Sequence, residues 1–168
     1  MKPTLRPLDA TDAEIFREVR LAALRNAPAA FGSSYEEEVA RPLSAFAERL
    51  AAPEPNLAFG AFIGDALCGI AGFRQEAGLK MRHIGVLWGV YVVPAQRNTG
   101  LSKALVEIVI SHARRHVVMV HADVGADNTA ARRLYESLGF RCYGVLPKAL
   151  KVDGRFIDEA LLALDLSA

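Results

Sequence analysis

Only two cysteines occur in the chain, Cys68 and Cys142. They are too few for a disulfide framework and are not spaced as metal ligands. Net charge is nearly absent: 20 basic against 19 acidic residues leave +1. No global field exists to gather nucleic acid or an acidic membrane surface. No apolar run approaches the roughly 20 residues that span a bilayer. The first residues, Met1-Lys2-Pro3-Thr4-Leu5-Arg6, lack the apolar core of a secretory leader. Internal repeats, linkers and low-complexity stretches are missing as well. These absences lead to the expectation of one cytoplasmic domain, residues 1–168, with reduced thiols. No metal, nucleic acid or membrane is expected as a partner. At 52% hydrophobic and 23% charged, the 168 residues are composed like a globular domain large enough for a real core.

Periodicity divides the chain into alternating elements. Thr4 to Leu8 reads as an edge strand, where Pro7 is tolerated. Thr11-x-x-Glu14 has capping-box spacing before a helical stripe of Ile15, Phe16, Val19, Ala22 and Ala23. The stretch Phe31 to Ser34 suggests a loop. Glu36, Glu37 and Glu38 suit a helix start. A second helix is expected over Leu43 to Ala51. Strands follow at Asn56–Ile63 and Ala66–Gln75 around a Gly64-Asp65 turn, then a long one from Arg82 to Val93. Gly85 and Gly89 inside that strand suggest a bulge or a close approach by another backbone. A helix from Leu101 leads to a strand over Val117–Val124. Val118, Val120, Ala122 and Val124 share one face of that strand, and Met119, His121 and Asp123 the other. Asn128 caps a further helix, Gly139 ends it, and a hairpin closes the chain around Asp153-Gly154. The order β-α-α-β-β-β-α-β-α-β-β describes an α/β layered domain with a mixed sheet.

The most informative stretch joins the long strand to the helix behind it. Val90 to Val93 is β-branched and aromatic, and Pro94 stops it. A polar turn, Ala95 to Gly100, opens the helix of Leu101, Ala104, Leu105, Ile108 and Val109. A helix N-terminus presents unpartnered N–H groups and partial positive charge, which suits phosphate or pyrophosphate. Gly100 lets backbone approach such a ligand closely, and Arg97 adds a cation with a fork matched to phosphate oxygens. The neighbouring Gly100-Leu101-Ser102-Lys103 is not a P-loop, because its lysine follows the serine and the leading glycine is missing.

Arg97-x-x-Gly100-x-Ser102 resembles the acetyl-CoA pyrophosphate loop of the GNAT N-acetyltransferase superfamily, usually Gln/Arg-x-x-Gly-x-Gly/Ala. Ser102 departs from that form but is small. Downstream, Asn128-x-x-Ala131-x-x-Leu134-Tyr135-x-x-x-Gly139-Phe140 is similar to the family's next helix. The resemblance implies a GNAT-like fold with a central mixed, splayed β-sheet flanked by helices. It implies an enzyme that transfers acetyl from acetyl-CoA to a primary amine of a small molecule, amino acid or peptide. It also implies a bulged long strand and a cofactor site of Tyr91, Val92, Val93, Arg97, Asn98, Thr99, Gly100, Leu101, Ser102, Asn128 and Tyr135. Pantetheine would pair with backbone at Tyr91 to Val93. The Val92 N–H would meet the oxyanion, and Tyr135 would return a proton to the thiolate. Homodimers occur in the family, and an exposed edge in the closing hairpin would allow one.

Several residues keep two readings at this level. Tyr135 fits the apolar stripe of its helix and is as consistent with packing as with catalysis. Asn128 is a cap, a cofactor ligand, or both. Glu36, Glu37, Glu38 and His83 are candidates for substrate binding, and with His121, Asp123 and Glu159 they are candidates for the general base. An exposed helix start and a structural histidine are the competing readings. His112 and His116 stand at the i, i+4 spacing of zinc ligands, but nothing nearby completes a site, and they read as a solvated helix face. No cysteine lies in either motif to carry an acyl group, which favours direct attack in a ternary complex. A CoA-binding module without catalysis is the alternative class.

Overall fold

The computed structural model describes residues 1–167. A seven-stranded sheet spans them: β1 (Thr4–Pro7), β2 (Leu57–Ile63), β3 (Ala66–Gln75), β4 (Ile84–Val92), β5 (Met119–Gly125), β6 (Arg141–Val152) and β7 (Arg155–Asp165). Its order is β1-β2-β3-β4-β5-β7-β6. Neighbours are antiparallel except β4 and β5, which run parallel. The helices are α1 (Ala13–Asn26), α2 (Tyr35–Val39), α3 (Leu43–Leu50), α4 (Leu101–Ala113) and α5 (Thr129–Ser137).

The sheet is covered on both faces, so its central strands are apolar almost throughout. On one face, Phe16, Ala23 and Leu24 of α1 and Phe46 and Leu50 of α3 pack on Ala58, Phe62, Ile70 and Tyr91. On the other, Leu105, Val106 and Val109 of α4 pack on Phe59, Ala71, Phe73, Leu87 and Val120. Each fully buried Phe or Leu contributes roughly 1.5–3 kcal/mol relative to exposure.

Leu87 and Tyr91 are four residues apart, which in a regular strand places both on one face. They lie in opposite cores. The cause is a bulge: Ile70 pairs with Tyr91, but Gly72 pairs with Trp88, so β4 carries an extra residue. Gly89 supplies the left-handed backbone there, with φ +66°. The expected bulge therefore sits at Gly89. Gly85 has a different role. A Cβ on it would lie 2.3 Å from the Phe73 ring, so the close approach is by a side chain rather than a backbone.

Beyond the bulge the sheet opens. β4 and β5 pair only from Ile84–Met119 to Val86–His121 and then separate. The long strand thus parts from its parallel neighbour well before it reaches the turn at Pro94.

Other expectations are corrected in detail. Thr11-x-x-Glu14 is not a capping box: the box is Asp9-x-x-Asp12 and caps a short 3-10 turn, Ala10–Asp12, that leads into α1, where Asp9 accepts from the Thr11 N–H and the Asp12 carboxylate accepts from the Asp9 N–H. Arg6 grips Asp12 through both carboxylate oxygens at 2.8 Å, which fixes Asp12 in that role. The acidic run forms a helix of its own, α2, opened by a reciprocal Ser34–Glu37 box and separated from α3 by Pro42. Val118 is exposed, because β5 begins only at Met119. His112 is not solvated. It is 3% exposed, with the Phe59 and Phe73 rings set edge-on to its imidazole.

Candidate active site

The turn after β4 is tightly built. Gln96 N–H donates to the Val93 carbonyl, Arg97 N–H to Pro94, and the Thr99 hydroxyl to Gln96. Asn98 and Gly100 are left-handed, at φ +62° and +85°. The first intrahelical bond of α4 runs from Ala104 N–H to the Gly100 carbonyl. The N–H groups of Leu101, Ser102 and Lys103 are therefore left as free donors at the helix start. Leu101 is buried, so its contribution to a ligand is through backbone alone. A Cβ on Gly100 would meet nothing within 4 Å. The position needs glycine for its backbone angle, not for space.

Val93 N–H donates to the Cys68 carbonyl of β3 at 2.9 Å. Alternation along an antiparallel ladder turns the N–H and C=O of Val92 to the other edge, toward the opening beside β5. The Val92 carbonyl accepts from Arg97 Nε at 3.3 Å. Its N–H has no partner in the sheet. Tyr91 faces the α1 side, where its hydroxyl accepts from Asn26 Nδ2 at 2.9 Å.

A crevice of about 90 Å³ occupies the opening between β4 and β5. Trp88, Gly89 and Val90 form one wall, Ala122 to Gly125 the other, and Asn128, Ala131 and Tyr135 of α5 close it. Tyr135 is 7% exposed and packs edge-on against Phe140 at 5.5 Å. Burial alone pushes its hydroxyl up to about 12. Such a group keeps its proton at neutral pH, so a donor is present, although burial makes it a weaker acid than an exposed phenol. Asn128 Oδ1 accepts from Ala131 N–H at 3.2 Å while the residue also lines the crevice. Capping and lining are compatible.

The crevice opens into a cavity of about 590 Å³ on the α1–α3 side, sharing Leu87, Trp88, Gly89 and Asp123 with it. Asp123 and Glu159 both line it from neighbouring strands, on one sheet face and two residues out of register, Asp123 pairing with Leu161 and Glu159 with Gly125. Burial and then the Asp123 charge raise the Glu159 carboxyl above the usual carboxylate range. His121 lies one step further along β5 and packs against Tyr143, at 5.7 Å between rings.

The acidic run divides sharply. Glu38 is 2% exposed and lines the cavity, bound through both oxygens to Arg49. Glu36 and Glu37 are exposed on the outer side of α2, and Glu37 serves the cap. His83 is exposed at the start of β4, the opposite end from the turn, where its carbonyl holds Val118 and Met119. The fold does not bring Glu36, Glu37 or His83 to the cavity. Sequence reasoning missed Arg20, Arg49 and Trp88. Arg20 carried a faint signal, lying four residues after Phe16 and three before Ala23 on the buried stripe of α1.

A splayed mixed sheet, a bulged strand and an anion-ready helix start thus stand together where β4 runs into α4. The model of the acetyltransferase (GNAT) family matches residues 20–140, and the chain belongs to that family. The family uses acetyl-CoA. The chain is 36% identical over 80 residues to L-methionine sulfoximine/L-methionine sulfone acetyltransferase of Salmonella typhimurium, spanning 46% of each. It therefore spans less than half the length of that relative. It is 33% identical to the N-alpha-acetyltransferase RimI of Mycobacterium tuberculosis, over 67% of this chain and 69% of RimI. Its fold superposes with TM-score 0.83 on yncA, a putative acetyltransferase from Salmonella typhimurium solved with acetyl-CoA. The two are 23% identical, and the match covers 100% of this chain and 96% of yncA.

Proposed function

We propose that the chain is an N-acetyltransferase that uses acetyl-CoA and a primary amine in a ternary complex. One observation carries the reading: β4 leaves β5 after Val86. This frees the Val92 edge directly before a turn built to hold an anion. The residues fit the cofactor. Free N–H groups of Leu101 to Lys103, the left-handed Asn98 and Gly100, and Arg97 suit the pyrophosphate. The edge of β4 that opens toward β5 beyond Val86, with Val92 on it, suits the amides of pantetheine.

When bound, acetyl-CoA supplies the thioester carbonyl that an amine attacks. The Val92 N–H, on a buried residue, would donate to the oxygen of that carbonyl as it gains charge, and a fixed donor shielded from bulk water is worth more than one in water. Glu159, its proton affinity raised by burial and Asp123, accepts the proton an amine must lose. Tyr135 holds the proton that the leaving thiolate requires. Asn128 caps α5 and so holds Tyr135 at the crevice wall. The acceptor enters from the 590 Å³ cavity. β6 is the sheet edge and exposes Tyr143, Val145 and Leu146, which supports a homodimer through this hairpin.

Calorimetric titration with acetyl-CoA, followed by a thiol-release screen over amines, amino acids and short peptides, tests the reading. Binding with release is expected. Binding without release from any acceptor would favour the non-catalytic module, and no binding would remove the cofactor assignment.

A further inference from the structure

The cavity wall formed by α1, α2 and α3 contains two guanidiniums and one carboxylate. Arg49 engages both oxygens of Glu38, at 3.1 and 3.3 Å. Arg20 reaches the same carboxylate only at 3.7 Å through Nη2. The trio therefore carries one excess positive charge. Arg20 is 6% exposed, and its Nε and Nη1 have no hydrogen-bond partner among the described residues. The Phe31 ring covers one face of the guanidinium, 5.0 Å from Cζ. Desolvation lowers the proton affinity of Arg20, with Glu38 opposing and Arg49 adding to the fall. A buried cation with two idle donors is costly unless an anion completes it.

Its position is specific. Arg20 lines the 590 Å³ cavity, and Nη1 lies 3.5 Å from where a Cβ on Gly89 would stand. Gly89 belongs to both cavity and crevice, as does Asp123. An anion beside Arg20 thus lies next to the mouth through which an amine must pass. Across the cavity stand Asp123 and Glu159. Arg74 of β3 also lines the cavity but is paired with Glu76 at 3.2 Å. The site is bipolar in its remaining charge: positive at α1, negative at β5 and β7, with Phe31, Leu57, Phe73, Leu87, Trp88 and Leu150 between and around.

We propose that the acceptor is a free α-amino acid with an apolar side chain, its carboxylate received by Arg20 and its amine by Asp123 and Glu159. This rests on the acetyltransferase reading and names the substrate class of that site. Arg20 stands beside Gly89, and Gly89 and Asp123 border one opening, so a single small acceptor can present its anion and its amine to the two sides. Peptide N-termini, which carry an amide in place of that carboxylate, are disfavoured.

The test compares leucine, methionine and phenylalanine with their carboxamides. One readout is thiol release. The other is binding to CoA-saturated protein, followed by emission of Trp88, the chain's one tryptophan. The acids are expected to exceed the amides in kcat/KM and in affinity by about 10- to 100-fold, the value of hydrogen bonds to a charged group. The amide's amine is less basic and more often unprotonated, so a preference for acids cannot come from amine reactivity. In Arg20→Gln the preference disappears through a higher KM for acids, with the amide KM unchanged. Arg20→Lys retains part of it. If Arg20→Gln does not fold, the wild-type comparison decides alone. Amides that equal or exceed the acids, or acids that do not bind, overturn the proposal. Acetyl-CoA binding together with fast turnover of amides leaves the acetyltransferase reading intact while this one falls. If acetyl-CoA does not bind, that reading fails, and the acid–amide comparison on the cofactor-free protein still decides the anion site.

Discussion

Arg97 donates from Nε to the carbonyl of Val92 at 3.3 Å, so the cation of the anion-binding turn is tethered to the strand edge that opens toward β5. One donor of the guanidinium is used internally. The two terminal nitrogens remain for phosphate oxygens, and the guanidinium leans over the Tyr91 ring at 5.9 Å. A lysine keeps the charge but cannot both tether and fork. Arg97→Lys is expected to weaken acetyl-CoA binding about tenfold, with Arg97→Ala weaker still. Gly100→Ala should weaken it too, through the roughly 1–2 kcal/mol cost of a left-handed alanine rather than through a clash. Calorimetry on each variant measures both effects.

Tyr135→Phe removes a hydroxyl whose proton affinity burial has raised. The ring contacts with Phe140 survive the change. Turnover is expected to fall about a hundredfold, in the range of a lost general acid. Acetyl-CoA affinity should stay constant. An unchanged kcat at saturating substrates would remove Tyr135 from the chemistry.

Gly72→Ala tests the shared wall of crevice and cavity. The added Cβ would stand 2.0 Å from Trp88 Cε2, so the indole has to move. Trp88 lines both spaces. The expected outcome is a shifted tryptophan emission and a raised acceptor KM, with the affinity for acetyl-CoA less affected.

Glu38→Gln leaves Arg20 and Arg49 adjacent with no counter-charge in a buried wall. Breaking such a cluster from one side costs about 3–5 kcal/mol. Denaturant unfolding should show the loss as a lower midpoint with an unchanged slope. Glu36→Gln, on the exposed side of the same short helix, should be nearly silent.

Stability should also fall with acid through His112. Its Nε2 donates to the Pro55 carbonyl at 2.7 Å, and Nδ1 accepts from Arg115 at 3.1 Å, an arrangement that needs the neutral ring. Burial lowers its proton affinity, against the opposing pull of the Pro55 carbonyl. The unfolded chain therefore binds the proton more tightly than the folded one. The contribution is fully present above the unfolded value near 6.5 and is lost as pH falls below it toward the lower folded value. Unfolding midpoints at pH 7.5 and 5.5 should differ in the parent protein, and the His112 share of that difference should vanish in His112→Phe.

The local elements were legible in the chain because each is set by neighbours in sequence. Alternation and turn residues fixed the β2–β3 hairpin at Gly64-Asp65 and the closing hairpin at Asp153-Gly154. The turn from Arg97 to Ser102 and the cap at Asn128 were readable for the same reason: a helix start needs particular residues within a few positions. What could not be read depends on partners far along the chain. Thr11 has the spacing of a cap, but Arg6, reaching from β1, locks Asp12 into the box with Asp9 instead. His112 looked solvated because the Phe59 and Phe73 rings that bury it arrive from other strands. Glu38 looked like its neighbours Glu36 and Glu37, and only packing of α1 and α3 on the sheet separated it from them. Charge, burial and the meeting of Arg20 with Gly89 arise from such long-range contacts, and the tertiary structure alone decided them.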